Sequence, residues 1–339
     1  MKRLLLANFA ECPENLHFER AFVRAAAASK LPLDIIHDFD YHYDFLGALP
    51  PPGGRRFKYE GPASLAGCAG PYSLLVLLDF PKRARCAQAF LRLARGGALK
   101  KIFVANHLLP MPGHNFTADL CRRLKALAAV DGGCVLDFDD AGLWGELGLG
   151  RDRLTGRGYS TDCEYYSPQD VEAGDYVFSA GSAGRDFKAL AAGVKACGLE
   201  LKIFSDSKEK AGAGVEFLPL ASNLHNLRAA AAGARAVVIP VSDGHINEAA
   251  GNSIAFLSMA LGRPILTRRT PYMEKFITDG KNGFLYKSLS AGSIERGLRR
   301  IGALSPARLR AVGAAARSTI LRKASLDRFC SGFLATHAK

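Results

Sequence analysis

Short, nearly continuous apolar segments recur along the whole chain, and helical patterns lie between many of them. An apolar run without polar alternation is typical of a strand that is covered on both faces, as in a parallel sheet. The runs occupy residues 4–9, 33–37, 74–80, 101–107, 134–138, 176–181, 201–205, 215–220, 236–241, 264–267 and 283–286. Amphipathic segments occupy residues 14–30, 83–95, 116–130, 185–197, 224–233 and 253–261, and from residue 290 onward the pattern is helical only. This alternation predicts doubly wound α/β sheets.

The chain of 339 residues is long enough for two such sheets. A Gly-, Asp- and Arg-rich segment at 141–174 separates two series of strands, and we place the boundary near Pro168. We expect one Rossmann-like domain at 1–168, a second at 169–320, and a C-terminal helix within 321–339 that crosses back to the first domain. Ligands bind beyond the carboxyl ends of such strands, so two facing domains predict a central cleft. The Pro- and Gly-rich segment 45–62 is predicted to be a loop.

The net charge of +13 at pH 7 favours an anionic membrane surface, a phosphorylated small molecule, or simply a solvated basic surface. Nucleic acid is disfavoured as a partner, because no zinc finger, RNP or helix-turn-helix pattern accompanies the charge. No apolar run approaches the roughly 20 residues that cross a bilayer. The eight cysteines form no CxxC pair, which argues against a zinc site or a disulfide framework. We expect a cytoplasmic protein, with peripheral contact at the inner face of the membrane as an open alternative.

A cluster of small polar residues, Gly251, Asn252 and Ser253, precedes the apolar helical pattern at 253–261, with Glu248 just before it. One interpretation is a plain helix cap, because Asn and Ser cap well and Gly permits the turn. The other is an anion site, because a helix N-terminus offers free N–H groups and a partial positive charge.

A second corner of small residues follows the predicted strand at 176–181. It consists of Gly181, Ser182, Ala183 and Gly184, and a helix is predicted to begin near Arg185. Arg185 and Lys188 would then lie on the first helical turn, where cations oppose the helix dipole. The corner indicates pairing with a bound anion, with solvated surface cations as the alternative. Because two corners face the same predicted cleft, we favour the phosphate interpretation for both.

Three segments carry a resemblance to a known family. They are VFSAGSAGRDFKAL, AVVIPVSDGHINEAAGNSIAFLSMALGRPIL and ITDGKNGFLY, and they resemble the C-terminal half of family-four retaining glycosyltransferases. The resemblance covers about 165–286 well and the N-terminal half only in outline. It implies the GT-B fold, in which two Rossmann-like domains face a central cleft that holds a nucleotide-sugar.

The resemblance also implies roles for individual residues. Arg185, Lys188 and Glu248 would act in catalysis, together with His107 at the end of the run 101–107, for which a capping or buried histidine is the alternative. Glu248 would be the first glutamate of the family's Glu-x7-Glu motif. The implied nucleotide-sugar-binding residues are Gly181, Ser182, Arg185, Lys188, Pro219, Leu220, Asn247, Glu248, Gly251, Asn252 and Ser253.

The sequence departs from the family at three places. The family's usual spacing of the Arg and Lys is wider than that of Arg185 and Lys188. The position of the second motif glutamate is Phe256 by strict counting, or Leu257 if the loop is one residue longer, and neither can bind a ribose hydroxyl. The first loop, ANFAECPENLHFER, lacks the family's usual glycine pair.

The implied activity is transfer of a sugar from a nucleotide-diphosphate donor, UDP by default, to a saccharide, lipid-linked or small-molecule acceptor, with retention and without a metal or cofactor. The departures keep open a non-catalytic GT-B-like protein that binds a nucleotide or a partner. Epimerisation of a sugar nucleotide also stays open. A dinucleotide-dependent oxidoreductase is disfavoured, because no GxGxxG with a distal acidic residue follows the run 4–9.

Overall fold

A computed structural model describes residues 3–10, 12–41, 49–68, 70, 72–81, 83–96, 99–105, 126–136, 141–182, 184–206, 214–220, 224–243 and 250–338. The chain divides into two compact units. The first unit comprises Met1–Tyr159 together with Leu326–Lys339, and the second comprises Ser160–Ser325.

The described strands are β1 (Leu4–Asn8), β2 (Leu33–His37), β3 (Arg56–Lys58), β4 (Leu74–Leu78), β5 (Lys100–Val104), β6 (Gly132–Val135), β7 (Leu154–Gly156), β8 (Tyr176–Ala180), β9 (Glu200–Phe204), β10 (Val215–Leu218), β11 (Ala236–Ile239), β12 (Ile265–Arg268) and β13 (Phe284–Tyr286).

The described α-helices are α1 (Pro13–Ala28), α2 (Ala84–Arg95), α3 (Ala141–Glu146), α4 (Phe187–Lys195), α5 (Leu224–Gly233), α6 (Asn252–Ala260), α7 (Pro271–Glu274), α8 (Ala291–Gly302), α9 (Pro306–Lys323) and α10 (Leu326–His337). Short 3-10 helices span Pro62–Cys68, Ala126–Ala129 and Arg151–Arg153. None of the described helices combines the length and the apolar character that crossing a membrane requires.

The first unit is built on a parallel sheet in the order β3-β2-β1-β4-β5-β6-β7. Both faces of this sheet are covered. Leu5 and Leu77 contribute to the core on one face, whereas Leu6 and Val76 contribute to the core on the other. Successive side chains of a strand point to opposite faces, so a strand covered on both sides is apolar at most positions. This explains the continuous apolar runs in the sequence.

The C-terminal helix α10 packs on α1 within the first unit. Phe22 of α1 meets Phe333 of α10 edge to face, with ring centroids 5.4 Å apart. Arg24 donates through Nε to the Asp327 carboxylate at 2.7 Å. The two helices therefore form one layer over the sheet face that carries Leu6 and Val76.

The second unit is also built on a parallel sheet, in the order β10-β9-β8-β11-β12-β13. One face is covered by α4 and α8, whose side chains join the strands in a single core; Phe187, Val238 and Ile294 are fully buried in it. The two parallel sheets confirm the predicted doubly wound α/β class, and every predicted strand is found near its expected place.

Two strands lie outside the predicted pattern. β3 falls within the segment 45–62, so the prediction of a loop is wrong for Arg56–Lys58. β3 and β7 are three-residue strands at the two edges of the first sheet, where one neighbour suffices and most side chains stay partly exposed. Of the predicted helix at 116–130, residues 116–125 lie outside the described part, and Ala126–Ala129 forms a 3-10 helix.

Candidate functional site

The strand order of the second unit reverses between β8 and β11. From β8 the sheet extends through β9 to β10 on one side, and through β11 and β12 to β13 on the other. In open parallel sheets, ligands bind beyond the carboxyl ends of the strands at such a reversal, because the loops there diverge and leave a crevice. Both corners that stand out in the sequence belong to this place: residues 181–185 follow β8, and residues 251–253 lie on the connection that follows β11.

The Arg185 guanidinium brings the two corners together. Gly181 and Gly251 adopt positive φ angles of 99° and 90°, a region that glycine enters at low cost. A Cβ atom built on Gly181 would lie 2.7 Å from Nη2 of Arg185, and one built on Gly251 would lie 3.3 Å from the same atom. The two glycines therefore flank one guanidinium, although 70 positions separate them in the sequence.

Backbone contacts hold Arg185 in this place. Its main chain forms an antiparallel bridge with Val241, just beyond β11. The N–H of Ser242 donates to the carbonyl of Gly184 at 2.9 Å, and Nε of Arg185 donates to the carbonyl of Ala180 at 3.2 Å. The carboxyl ends of β8 and β11 are thus tied together around the arginine.

Burial lowers the pKa of Arg185 to about 10, and the nearby Tyr286 hydroxyl opposes this effect in part. The guanidinium therefore remains charged at neutral pH, but with reduced solvation. An anion that approaches such a cation stabilises its charged form, because the anion replaces the solvation that burial removed. The electrostatics of the corner thus suit a phosphate group.

The N-terminus of α6 lies at the same guanidinium. Gly251 is its N-cap residue and has no side chain that could accept from the first N–H groups. Asn252 is buried, and Ser253 is half-buried. Free N–H groups and the positive end of the helix dipole attract anions. A guanidinium beside this helix end adds a full positive charge to the partial charge of the helix dipole. The arrangement therefore favours an anion site over a plain helix cap at Gly251–Ser253.

A chain of hydrogen bonds leads from the first corner to the end of β10. Ser182 Oγ lies 3.1 Å from Ser205 Oγ and accepts from the Asp206 N–H at 3.2 Å. Asp206 Oδ1 in turn accepts from the Leu220 N–H at 3.1 Å. Pro219 and Leu220 therefore lie on a loop that is fixed to the glycine corner. Asp206 was missed in the sequence because its role depends on the neighbouring strand ends, which the sequence pattern does not reveal.

Lys188 has a different environment from Arg185. Helix α4 begins at Phe187, because the Asp186 carboxylate accepts from the Ala189 N–H at 2.9 Å and caps the helix. Arg185 thus precedes the cap, and the prediction that it lies on the first helical turn is wrong. Lys188 does lie on that turn and is exposed. Within the described residues, no hydrogen bond or ion pair joins Lys188 to the corner.

The aromatic core occupies the position of the family's second glutamate. Phe256 is fully buried and contacts Phe276, with ring centroids 4.6 Å apart; Tyr272 stacks at 6.5 Å. Leu257 is also buried. Neither side chain is presented to a ligand, so this part of α6 serves packing.

Tyr286 at the end of β13 was another residue that the sequence did not single out by itself. Its hydroxyl donates to the Ile239 carbonyl at 2.8 Å and accepts from the Val241 N–H at 3.0 Å. Burial raises the pKa of this hydroxyl, so it stays protonated and can donate. It thereby fixes the segment against which the Arg185 backbone pairs.

Three of the predicted site residues, His107, Asn247 and Glu248, lie outside the described residues. Among the residues that the structure does describe, no group of three His, Cys, Asp or Glu side chains could hold a metal ion.

The first unit has a separate cavity of about 390 Å³ at the carboxyl ends of β2 and β3. Its lining residues are Asp38, Phe39, Asp40, Lys58, Tyr59, Glu60, Arg83 and Arg85. Lys58 pairs with Asp40 at 2.7 Å, and Arg83 lies 3.4 Å from Asp38. Three carboxylates and three cations balance one another, so the lining offers many donors and acceptors without a net charge.

No family model matches the sequence, and no curated protein matches it. Solved structures do match the fold. A glycosyltransferase from Rickettsia africae is 12% identical, with 99% of this chain and 97% of that chain covered and a TM-score of 0.65. Anabaena HepE, solved with UDP and glucose, is 10% identical, with 99% and 98% covered and a TM-score of 0.65.

A mutant of S. aureus TarM, solved with fondaparinux, α-GlcNAc-glycerol and UDP, is 10% identical, with 99% of both chains covered and a TM-score of 0.67. Identities this low establish architecture rather than activity. The chain has the GT-B fold, with two Rossmann-like α/β units, as the resemblance implied.

Proposed function

We propose that the protein is a glycosyltransferase that moves a sugar from a nucleotide-diphosphate donor to a saccharide acceptor. The observation that carries the proposal is the Arg185 guanidinium, which lies between Gly181 and Gly251 at the reversal point of the second sheet. Proteins of the same fold support the choice of donor, because HepE and TarM were solved with UDP. We therefore take a UDP-sugar as the default donor.

In this proposal the donor diphosphate binds between the two corners. Its charge faces Arg185 and the N-terminus of α6, while Ser182 and Gly181 border it from the β8 side. The nucleotide base would rest against Pro219 and Leu220, which Asp206 holds in place. Lys188 would contact the diphosphate from the exposed face of α4, and Asn247 and Glu248 would contact the sugar, as the resemblance implies.

The proposed reaction breaks the bond between the anomeric carbon and the distal phosphate oxygen, while the acceptor oxygen forms a bond to that carbon. Negative charge grows on the leaving diphosphate. Arg185 and the α6 N-terminus would stabilise that charge, which is the main contribution a protein can make to this step. For retention, the leaving phosphate takes the acceptor's proton on the same face, so no pair of catalytic carboxylates is needed.

The cavity of the first unit supports a saccharide as the acceptor. A sugar hydroxyl both donates and accepts hydrogen bonds, and the cavity pairs carboxylate acceptors with guanidinium and ammonium donors. The balanced charge suits an uncharged sugar rather than an anionic one.

Turnover tests this proposal. Purified protein is incubated with a panel of UDP-, GDP- and ADP-sugars and a mixture of oligosaccharide acceptors, and release of the nucleoside diphosphate is measured. We expect release from one donor that depends on an acceptor and is lost in Arg185→Gln. The matched control is Arg228→Gln, another half-buried arginine of the second unit that bonds a backbone carbonyl. Equal release from Arg185→Gln and wild type would overturn the proposal.

The second candidate function is a GT-B-like protein that binds a nucleotide or a partner without turnover. Burial of Phe256 and Leu257 favours it, because no carboxylate at these positions can hold the ribose. Specific nucleotide binding without release of product under every donor and acceptor combination would support this candidate over the transferase.

A further inference from the structure

The amino edge of the first sheet, where its strands begin, carries a concentration of positive charge. Lys30 precedes β2, Arg55 precedes β3, and Lys100 opens β5. Helix α2 runs back from the carboxyl edge and brings Arg92 and Arg95, on its last turn, to the same edge. Lys30, Arg55, Arg92 and Arg95 are exposed, and Lys100 is half-buried.

None of these five cations forms an ion pair within the described part of the chain. For Arg92, Arg95 and Lys100 the local sequence accounts for this, since residues 80–118 contain seven Lys or Arg and no Asp or Glu. Strands in a sheet are about 4.8 Å apart, and β3 and β5 are four strand spacings apart in this sheet. The cations are therefore spread over roughly 19 Å of the edge. The carboxyl edge differs, because the cavity there balances its charges. The amino edge also holds Asp34 and Asp131, but these carboxylates pair with Arg3 and Lys101, so the five cations give this edge a net positive charge.

An exposed leucine lies within this basic edge. Leu99 comes just before Lys100, and its side chain is 84% exposed. The other exposed large apolar residues of the described part are Val171 at 47% and Leu321 at 43%. Its backbone is not loose, because the Leu99 N–H donates to the Tyr72 carbonyl at 3.0 Å. The fold therefore holds an apolar side chain outward at the start of a central strand.

We propose that this edge, formed by Lys30, Arg55, Arg92, Arg95, Leu99 and Lys100, docks on an anionic lipid surface. Cations near such a surface are attracted to its headgroups, and an apolar side chain among them gains by entering the interfacial region. A nucleic acid would satisfy the charge but give Leu99 no apolar partner. A second copy of the chain would bring like charge against like charge.

The amino edge lies opposite the carboxyl edge, where the cavity of this unit opens. Docking through the amino edge therefore leaves that cavity exposed to ligands. The inference does not depend on the proposed function, and its test uses no nucleotide.

Co-sedimentation with vesicles tests the proposal. Wild type is mixed with phosphatidylcholine vesicles and with vesicles containing phosphatidylglycerol, at low and high salt. We expect binding to the anionic vesicles only, weakened by salt. Each basic residue near an anionic surface contributes about fivefold in affinity, so Arg92→Gln/Arg95→Gln should bind roughly 25-fold more weakly. The control Arg296→Gln/Arg310→Gln removes two exposed cations from the second unit and should bind as wild type does.

A fluorescence probe tests whether Leu99 enters the lipid. The single native tryptophan, Trp144, is 2% exposed and stacks on Phe80, so it gives a constant background. Brominated lipid should quench the fluorescence of Leu99→Trp on anionic vesicles and leave Leu321→Trp unchanged.

Equal loss of binding in both arginine pairs would reduce the effect to net charge and overturn the proposal. Vesicle binding without quenching of the probe would show that Leu99 stays outside the lipid, which overturns the proposal that this edge docks through both its charge and its apolar side chain. Failure of wild type to bind anionic vesicles has the same consequence.

Discussion

Arg185 and Gly251 are neighbours in space: a Cβ atom on Gly251 would stand 3.3 Å from Nη2 of Arg185. The guanidinium belongs to the corner after β8, and the glycine begins α6 on the connection after β11. Their proximity joins a full positive charge to a helix N-terminus, and the proposed diphosphate site rests on this pair.

Gly251→Ala should destabilise the protein and weaken nucleotide binding. Its positive φ costs a non-glycine residue about 1–2 kcal/mol, and the new methyl group would lie 2.6 Å from Cγ2 of Ile239, which adds about 1–3 kcal/mol of overpacking. Urea unfolding measures the loss. Gly198→Ala is the control, because Gly198 also has a positive φ but faces open space. A loss no larger than that of the control would contradict the steric account.

Phe256→Glu should not restore a ribose contact. The side chain is fully buried among aromatic rings, and burying a carboxylate there should cost several kcal/mol of unfolding free energy or raise the carboxyl pKa strongly. Urea unfolding and titration with UDP check both parts. A stable variant that binds UDP more tightly than wild type would show that position 256 does reach the ligand.

Asp206→Ala should weaken nucleotide binding several-fold with a loss of stability of about 1 kcal/mol or less, because it removes one hydrogen bond from an exposed loop. The lost bond releases the Leu220 N–H and loosens the loop that would hold the base. Asp175→Ala is the matched control, an exposed carboxylate of the same unit that pairs with Arg235. Calorimetric titration with UDP compares the two; equal affinities would remove Asp206 from the site.

Stability should fall in mild acid because of His37. Burial lowers the pKa of this histidine below its ordinary 6.5, although the Phe39 carbonyl opposes the shift. Between the lowered pKa and 6.5 the unfolded chain binds more protons than the folded one, so the free energy of unfolding decreases as pH falls through that window. Urea unfolding of wild type and His37→Gln at pH 7.5 and pH 5.5 checks this. A variant as acid-sensitive as wild type would contradict the assignment to His37.

The fold could be predicted from the sequence because strands covered on both faces leave continuous apolar runs. β3 and β7 left no such signal, since edge strands of three residues need no apolar pattern. The two corners of the site were visible because small residues cluster at each. The sequence did not show that the two corners lie together at Arg185, because their proximity depends on β8 and β11 being neighbours in the sheet.

The remaining differences between the sequence predictions and the structure arise from individual hydrogen bonds. Asp186 caps α4, so the helix begins at Phe187 and Arg185 lies before it. The composition of the segment does not show which residue acts as the cap. Asp206 and Tyr286 act through contacts with distant backbone groups. Tyr286 did stand in the ITDGKNGFLY segment of the resemblance, but its hydroxyl partner on β11 is 47 positions away.

Nucleotide binding by Arg185 variants tests the central claim most directly. Thermal unfolding of wild type, Arg185→Gln and Arg228→Gln is followed with UDP, GDP and ADP. A ligand at one hundred times its Kd adds about 2.7 kcal/mol, or roughly 5–10 °C in Tm. We predict this shift for one nucleotide with wild type and with Arg228→Gln. With Arg185→Gln we predict less than about a third of it, because a diphosphate without its guanidinium partner binds more weakly by at least about 2 kcal/mol. An equal shift in Arg185→Gln, or no shift of wild type with any nucleotide, would contradict the diphosphate site.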